Sequence, residues 1–472
     1  MEANARESLK RPLIGAVFLF LSLCAWSFSG PLTSGYDTTY HLGNIWCARG
    51  ERPGICEIRE NASGVNVAFI PAELASNPNN ESFVQADISS ANRKSPFYSV
   101  MNTFVTKNAT QSVLFLRIFN SIITGFVFFA LMYLSSGKNR IAILSSWTFT
   151  IVPVLISTLW QPNPRSWAYL SVMSSWAFLH LALERASFSS ARDRATWLLF
   201  VFSLILAFTS RMDATLFTIF SCSVVSIVYV VKNKLAKPKS LFVISLGSVL
   251  LFLIVRSLSS SLQWYTQFSF NSILSSGNSL FVLVHLPENI ADGLGLGLRY
   301  LELGPNSIGI IGVSLFSISI SSWLTDKNYS QHFGFLAMFL FMFLAMFQIA
   351  RVWPEANEPS GAYVTALLTA LLGITALLSK SDTYFPRAVS TKVLAVVLVS
   401  ICHALTLYSK FEWSIRKDAR NDTYTNLSLR GGWWWDSPVS PNLVFILGAI
   451  SFPVWLAVSW NLVSRSEDAI SS

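Results

Sequence analysis

The sequence predicts an all-α integral membrane protein, a bundle of about twelve transmembrane helices of roughly 20 residues each with a long first outer loop. Three observations predict it. Of the 472 residues, 52% are apolar and only 12% are charged, whereas about a quarter of the residues in a soluble domain are charged. Mean hydropathy is +0.49, and apolar runs long enough to cross a bilayer recur along almost the whole chain. The cations behind the net charge of +9 sit in short loops between those runs, where they set orientation rather than build one basic face. This distribution excludes a nucleic-acid partner. Composition excludes collagen-like, disordered and small disulfide-scaffold proteins.

Lys10 and Arg11 precede the first apolar run, 13–29, which is too long for a signal peptide and lacks a small-residue cleavage pattern. Residues 1–29 therefore read as a cytoplasmic N-terminus and a retained first helix of a multi-pass cytoplasmic (plasma) membrane protein. Residues 30–111 form a polar outer loop expected to carry interfacial helices. Within 112–258, spans two to seven fall at 112–136, 141–160, 168–186, 196–210, 214–231 and 241–258. Inside connections then hold Lys138 and Arg140, next Arg185, Arg192 and Arg194, and next Lys232, Lys234, Lys237 and Lys239. Outer connections are poorer in cations, as the positive-inside rule requires.

Segment 259–305 contains Pro287, Glu288, Asp292, Arg299 and Glu302. It is placed outside as an interfacial or re-entrant element, because non-helical backbone at membrane depth needs protein or water beside it. Were it a full span, the cation-rich stretch 410–430 would turn inside. Within 306–472 the last spans are 306–324, 333–350, 361–378, 392–407 and 442–463, with a Trp-rich outer loop before the final one.

Cys24, Cys222 and Cys402 sit in apolar helices as small core or lipid-facing residues. Cys47 and Cys56 share the first outer loop, with Gly50, Pro53 and Gly54 between them to permit a tight turn. An outer disulfide is expected there; the alternatives are two unpaired thiols or a zinc site with His41. If 36–46 is a short helix along the membrane surface, the spacing of four puts Asp37 and His41 on one face. A carboxylate at that place can deprotonate an acceptor hydroxyl while the histidine supports it or holds a phosphate. The same pair also fits ordinary polar surface.

The order of apolar helix, Asp37-x3-His41, Ile45-Trp46-Cys47, Gly50 and Cys56 resembles the start of the domain of unknown function 2142 family of actinobacterial membrane proteins. Later landmarks agree: Pro162-Asn163-Pro164, Arg211, the glycines 293, 295 and 297 before Pro305, and Trp433-Trp434-Trp435 with Pro438. That family looks like membrane glycosyltransferases of the C-type fold, which move sugars from polyprenyl-phosphate carriers outside the cytoplasmic membrane and carry an acid in the first outer loop. The resemblance makes Asp37 the candidate base or metal-facing carboxylate. Thr38 stands where the family often has a second acid, and 358–363 lacks the arginine of the family's Gln-Pro-Arg-Tyr stretch.

A polyprenyl-phosphate donor presents an anion near the outer interface, and arginine suits it best. Arg165, Arg211 and Arg299 fall at predicted outer ends or loops. Arg211 leads, because Arg211-Met212-Asp213 lies between two short apolar helices, where the polar pair turns to the bundle; a structural ion pair or a snorkelling anchor is the alternative. Trp434 and its neighbours stack on sugar rings or serve as an aromatic belt.

The expected function is transfer of a sugar from a polyprenyl-phosphate carrier to an envelope polysaccharide, glycolipid or protein acceptor. The catalytic candidates are Asp37 and His41, and the substrate-binding candidates are Arg211, Asp213, Arg299, Arg165 and Trp434. The expected partners are membrane lipid, the carrier-linked sugar and an envelope glycan acceptor. No cofactor is assigned, and a divalent metal at Asp37 stays open. The alternatives are a transporter or flippase of a lipid-linked sugar and a non-enzymatic envelope-assembly protein.

Overall fold

A computed structural model describes residues 2–34, 38–60, 66–74, 82–86, 88, 96–151, 153–185, 189–232, 362–378, 389–415, 427, 433–435 and 439–471. The expected spans 241–258, 306–324 and 333–350 lie outside the described residues, as does all of 259–305. The described chain is mostly helical. It opens with α1 (Glu2–Phe28) and continues into α2 (Thr38–Trp46).

Cys47 and Cys56 form a disulfide with a Cα–Cα separation of 5.3 Å. The ring they close turns at Gly50 and Gly54, both with positive φ (79° and 74°), a region open to glycine because it lacks Cβ. An antiparallel bridge between Arg52 and Cys56 tightens the ring and leads into β1 (Glu57–Glu60), β2 (Asn66–Pro71) and β3 (Phe83–Gln85). These pair as an antiparallel sheet in the order β1-β2-β3, with Glu57 opposite Phe69 and Phe69 opposite Gln85. The loop thus adds a small sheet to the expected interfacial helices. Its strands are too short for an alternating pattern to stand out in an apolar chain. α3 (Pro96–Asn102) follows, with proline at its first position, where the missing N–H costs nothing.

α4 (Ala109–Leu134) is capped by Asn108, whose side chain accepts from the Gln111 N–H at 2.9 Å. The expected span 141–160 is broken into α5 (Gly137–Thr150) and α6 (Pro153–Leu159). Pro153 has no N–H and its ring excludes the preceding turn, so the helix stops and restarts. Hydropathy is blind to that break. α7 (Pro164–Arg185) begins at Asn163, whose side chain accepts from the Arg165 N–H. α8 (Ala191–Ser210) opens with a reciprocal Ser190–Asp193 capping box, and α9 (Met212–Lys232) follows directly. α10 (Ala362–Leu378), α11 (Val389–Ile415) and α12 (Pro441–Ser471) complete the described helices.

Among the described residues, Leu9–Phe28, Ala109–Leu134, Ala191–Ser210 and Pro441–Asn461 are long and apolar enough to cross a membrane. α1 is the hub. Gly15 lies against Ser459, and Gly448 lies against Ala25 and Leu407, so α1 and α12 run antiparallel. Gly125 on α4 meets Ala16 and Phe20 in the same sense. Small residues let apolar helices approach closely where lipid offers no hydrophobic drive for association. α11 runs parallel to α1, with His403 3.2 Å from the Ser22 hydroxyl and Lys410 beside Gly30. The interior is rich in hydroxyls. Many of them, such as Thr148 and Ser174, donate to the carbonyl one turn back, which keeps them satisfied in an apolar setting.

Candidate functional site

The site lies where α1 terminates, which we call the Gly30 end of the bundle. A helix that ends inside protein leaves carbonyls that need donors, and here Arg117 of α4 supplies them. Its guanidinium donates to Ser27 O and Gly30 O at 2.9 Å, to Pro31 O at 2.6 Å and to Leu32 O at 3.0 Å. Arg117 is fully buried and sits 4.8 Å from the Trp160 ring centroid and 5.7 Å from that of Trp434. Trp434 adds an indole N–H to Phe28 O at 3.1 Å, and Trp435 stacks on the Phe28 ring. Trp434 thus packs on the end of α1 and on Arg117, and its ring also meets Trp433 and Trp435.

α2 follows this end and is held by α3 at two points one turn apart. Asn102 donates through one side-chain nitrogen to Ile45 O at 2.6 Å and Trp46 O at 2.9 Å, satisfying the last carbonyls of α2. Tyr98 lies one turn earlier on α3 and places its hydroxyl 2.7 Å from His41 Nδ1. α3 is anchored in turn to α7, where the Phe97 ring meets Trp167 edge-on at 4.9 Å. Trp167 donates to Asn120 Oδ1, and Asn120 donates to Gln161 O, which fixes the start of α7 against α4.

This scaffold brings Arg165, in the first turn of α7, and Arg211, in extended backbone between α8 and α9, close enough to act on His41. Burial pushes the His41 pKa well below its ordinary 6.5, and the positive charges of Arg165 and Arg211 lower it further. His41 is therefore neutral at physiological pH, and one of its ring nitrogens is engaged by Tyr98. A buried neutral imidazole beside two fixed cations can bind an anion while it accepts or relays a proton.

An apolar groove lies between α8 and α9, lined by Val201, Leu204, Ile205, Phe208, Thr215 and Ile219 among others, and the backbone of Arg211 is hydrogen-bonded to that of Thr215. No protein-family model, curated protein or solved structure matches this chain. The functional reading therefore rests on the residues themselves.

Of the positions singled out in the sequence, Arg165 and Arg211 are within electrostatic reach of His41. Trp434 covers Arg117 at the same end of the bundle. Asp213 falls in the first turn of α9, while Asp37 and Arg299 lie outside the described residues. Among the described residues no three His, Cys, Asp or Glu side chains gather as a metal site. Tyr98 and Asn102 carry no sequence signal, because they stand in a helix of 7 residues inside a polar loop.

Proposed function

We propose that the chain is a membrane glycosyltransferase that moves a sugar from a polyprenyl-phosphate carrier to an envelope polysaccharide, glycolipid or protein acceptor. It would work at the outer face of the cytoplasmic membrane, within a C-type bundle of about twelve spans. The observation that carries the reading is the convergence of Arg165 and Arg211 on a buried, neutral His41. Two guanidinium groups suit a phosphate that gains charge as its bond to the sugar breaks. The groove beside Arg211 is apolar and fits an isoprenoid chain. In this reading Asp37 takes the proton of the acceptor hydroxyl and the acceptor oxygen bonds to the anomeric carbon. The carbon–oxygen bond to the carrier phosphate breaks, and the phosphate departs with the electron pair toward Arg211 and Arg165.

Arg117 favours transfer over transport. Charges that drive alternating access lie near the midplane and exchange partners, whereas the guanidinium of Arg117 is committed to the carbonyls at the end of α1. The test is a transfer assay in membranes with a panel of polyprenyl-phosphate monosaccharides, at matched protein levels. Arg211→Gln is expected to lower turnover about 10²-fold, and Asp37→Asn by about 10²-fold or more. Turnover that both variants leave unchanged overturns the reading.

A further inference from the structure

The end of the bundle opposite Gly30 holds a second group of arginines, and there the cations outnumber their anionic partners. Three guanidinium groups from three segments crowd the last carbonyls of α4. Arg192 donates to Tyr133 O at 2.8 Å and to Leu134 O at 3.1 Å. Arg185 donates to the same Leu134 O and to the Thr196 hydroxyl, and Arg140 donates to Ser135 O at 2.5 Å. A helix C-terminus carries about half a negative charge, far less than three guanidinium groups bring.

Two carboxylates offset part of this charge, since Asp193 interacts electrostatically with Arg185 and Arg192 and Glu184 with Arg185, which leaves three cations to two anions. Glu184 is paired with His180 at 3.2 Å and accepts from Asn139, and Asp193 closes the capping box with Ser190. Among the described residues none of the three arginines makes an ion pair. The group is also placed where a headgroup would be, since the apolar run Ala109–Leu134 ends and Ala191–Ser210 begins there. Arg192 is exposed and lies 5.6 Å from the ring centroid of the half-exposed Tyr133, a cation and aromatic pair typical of the membrane interface.

We infer that Arg140, Arg185 and Arg192 around the end of α4 form a binding site for the phosphate headgroup of an anionic lipid. Charge distribution puts this end on the cytoplasmic side, whose leaflet is the anionic one. The inference rests on the membrane setting and not on the proposed transfer activity. Arg192 is the residue to change, because Leu134 O keeps Arg185 as a donor and the helix end stays capped.

The experiment is native mass spectrometry of the full chain released from vesicles of phosphatidylcholine with or without phosphatidylglycerol, followed by titration of each lipid in detergent. Phosphatidylglycerol is expected to bind more tightly than phosphatidylcholine. Arg192→Gln should weaken that binding about fivefold, and Arg140→Gln with Arg192→Gln about 25-fold. Equal binding of the two lipids, or an affinity for phosphatidylglycerol that neither variant changes, overturns the proposal. So does displacement of the lipid by an equal concentration of inorganic phosphate, which would make the site one for free anions.

Discussion

Arg117 has no carboxylate partner among the described residues, yet it is fully buried. An unpaired charge is costly in such a place, and the cost is met by four carbonyls, of which Pro31 O also accepts from the Ser34 N–H. Arginine alone has the fork to reach them, because lysine offers three donors from one point. Arg117→Leu is therefore expected to destabilise the fold by about 3 kcal/mol or more, and Arg117→Lys should recover only part of the loss. The unfolding temperature in detergent checks both.

His41 is a separate case at the same scale. Its folded pKa lies below its unfolded value of 6.5, so the unfolded chain takes up the proton first as pH falls. Its contribution to stability is present above 6.5 and is lost as pH drops toward the folded value. Thermal stability measured from pH 7.5 down to about 5 should fall in the parent, and this fall should be shallower in His41→Gln. The Tyr98 hydroxyl holds the ring, and the positive charges of Arg165 and Arg211 act on it. A slope that the variant leaves unchanged would assign the effect to other groups.

Helix packing depends on a few small residues. Gly373 of α10 lies flat against the Trp176 indole, and an added Cβ would collide with that ring. Gly373→Ala is expected to cost about 1–3 kcal/mol through overpacking, whereas Gly50→Ala meets open space and is limited by its positive φ alone. Comparison of the two by thermal unfolding separates a packing glycine from a turn glycine. At this scale the apolar runs were legible, since burial in lipid or protein demands them whatever the tertiary contacts. The break at Pro153 and the sheet of the first loop were not. A proline changes backbone geometry without changing hydropathy, and strands of 4, 6 and 3 residues hold too few alternations to read.

For the whole molecule the question is which loops share a side. Helix contacts put Lys410 beside Gly30 and antiparallel α12 beside α1, so the loop that ends at Ser440 and the loop around Lys107 belong to one end. Arg194 belongs to the other. Sequence alone could list the cations Arg165 and Arg211 but could not bring them to His41, because that meeting depends on how α3, α7 and α8 pack.

Cysteine substitution of the exposed positions Lys107, Ser440 and Arg194 tests this arrangement in intact cells with a membrane-impermeant thiol reagent. The native Cys222 and Cys402 are buried and Cys47 is bonded to Cys56, while Cys24 is half-buried within the apolar span Leu9–Phe28 and is replaced by alanine in all three variants to keep the background low. Lys107→Cys and Ser440→Cys should react in intact cells, and Arg194→Cys only after lysis. Helix packing requires the first two to behave alike, and loop charge says which side they face. Reaction of Lys107→Cys without Ser440→Cys would break the packing of α11 and α12 on α1. Reversal of all three would leave the packing intact and invert the protein in the membrane, which would move the His41 site to the cytoplasmic side and remove an outer-face acceptor from its reach.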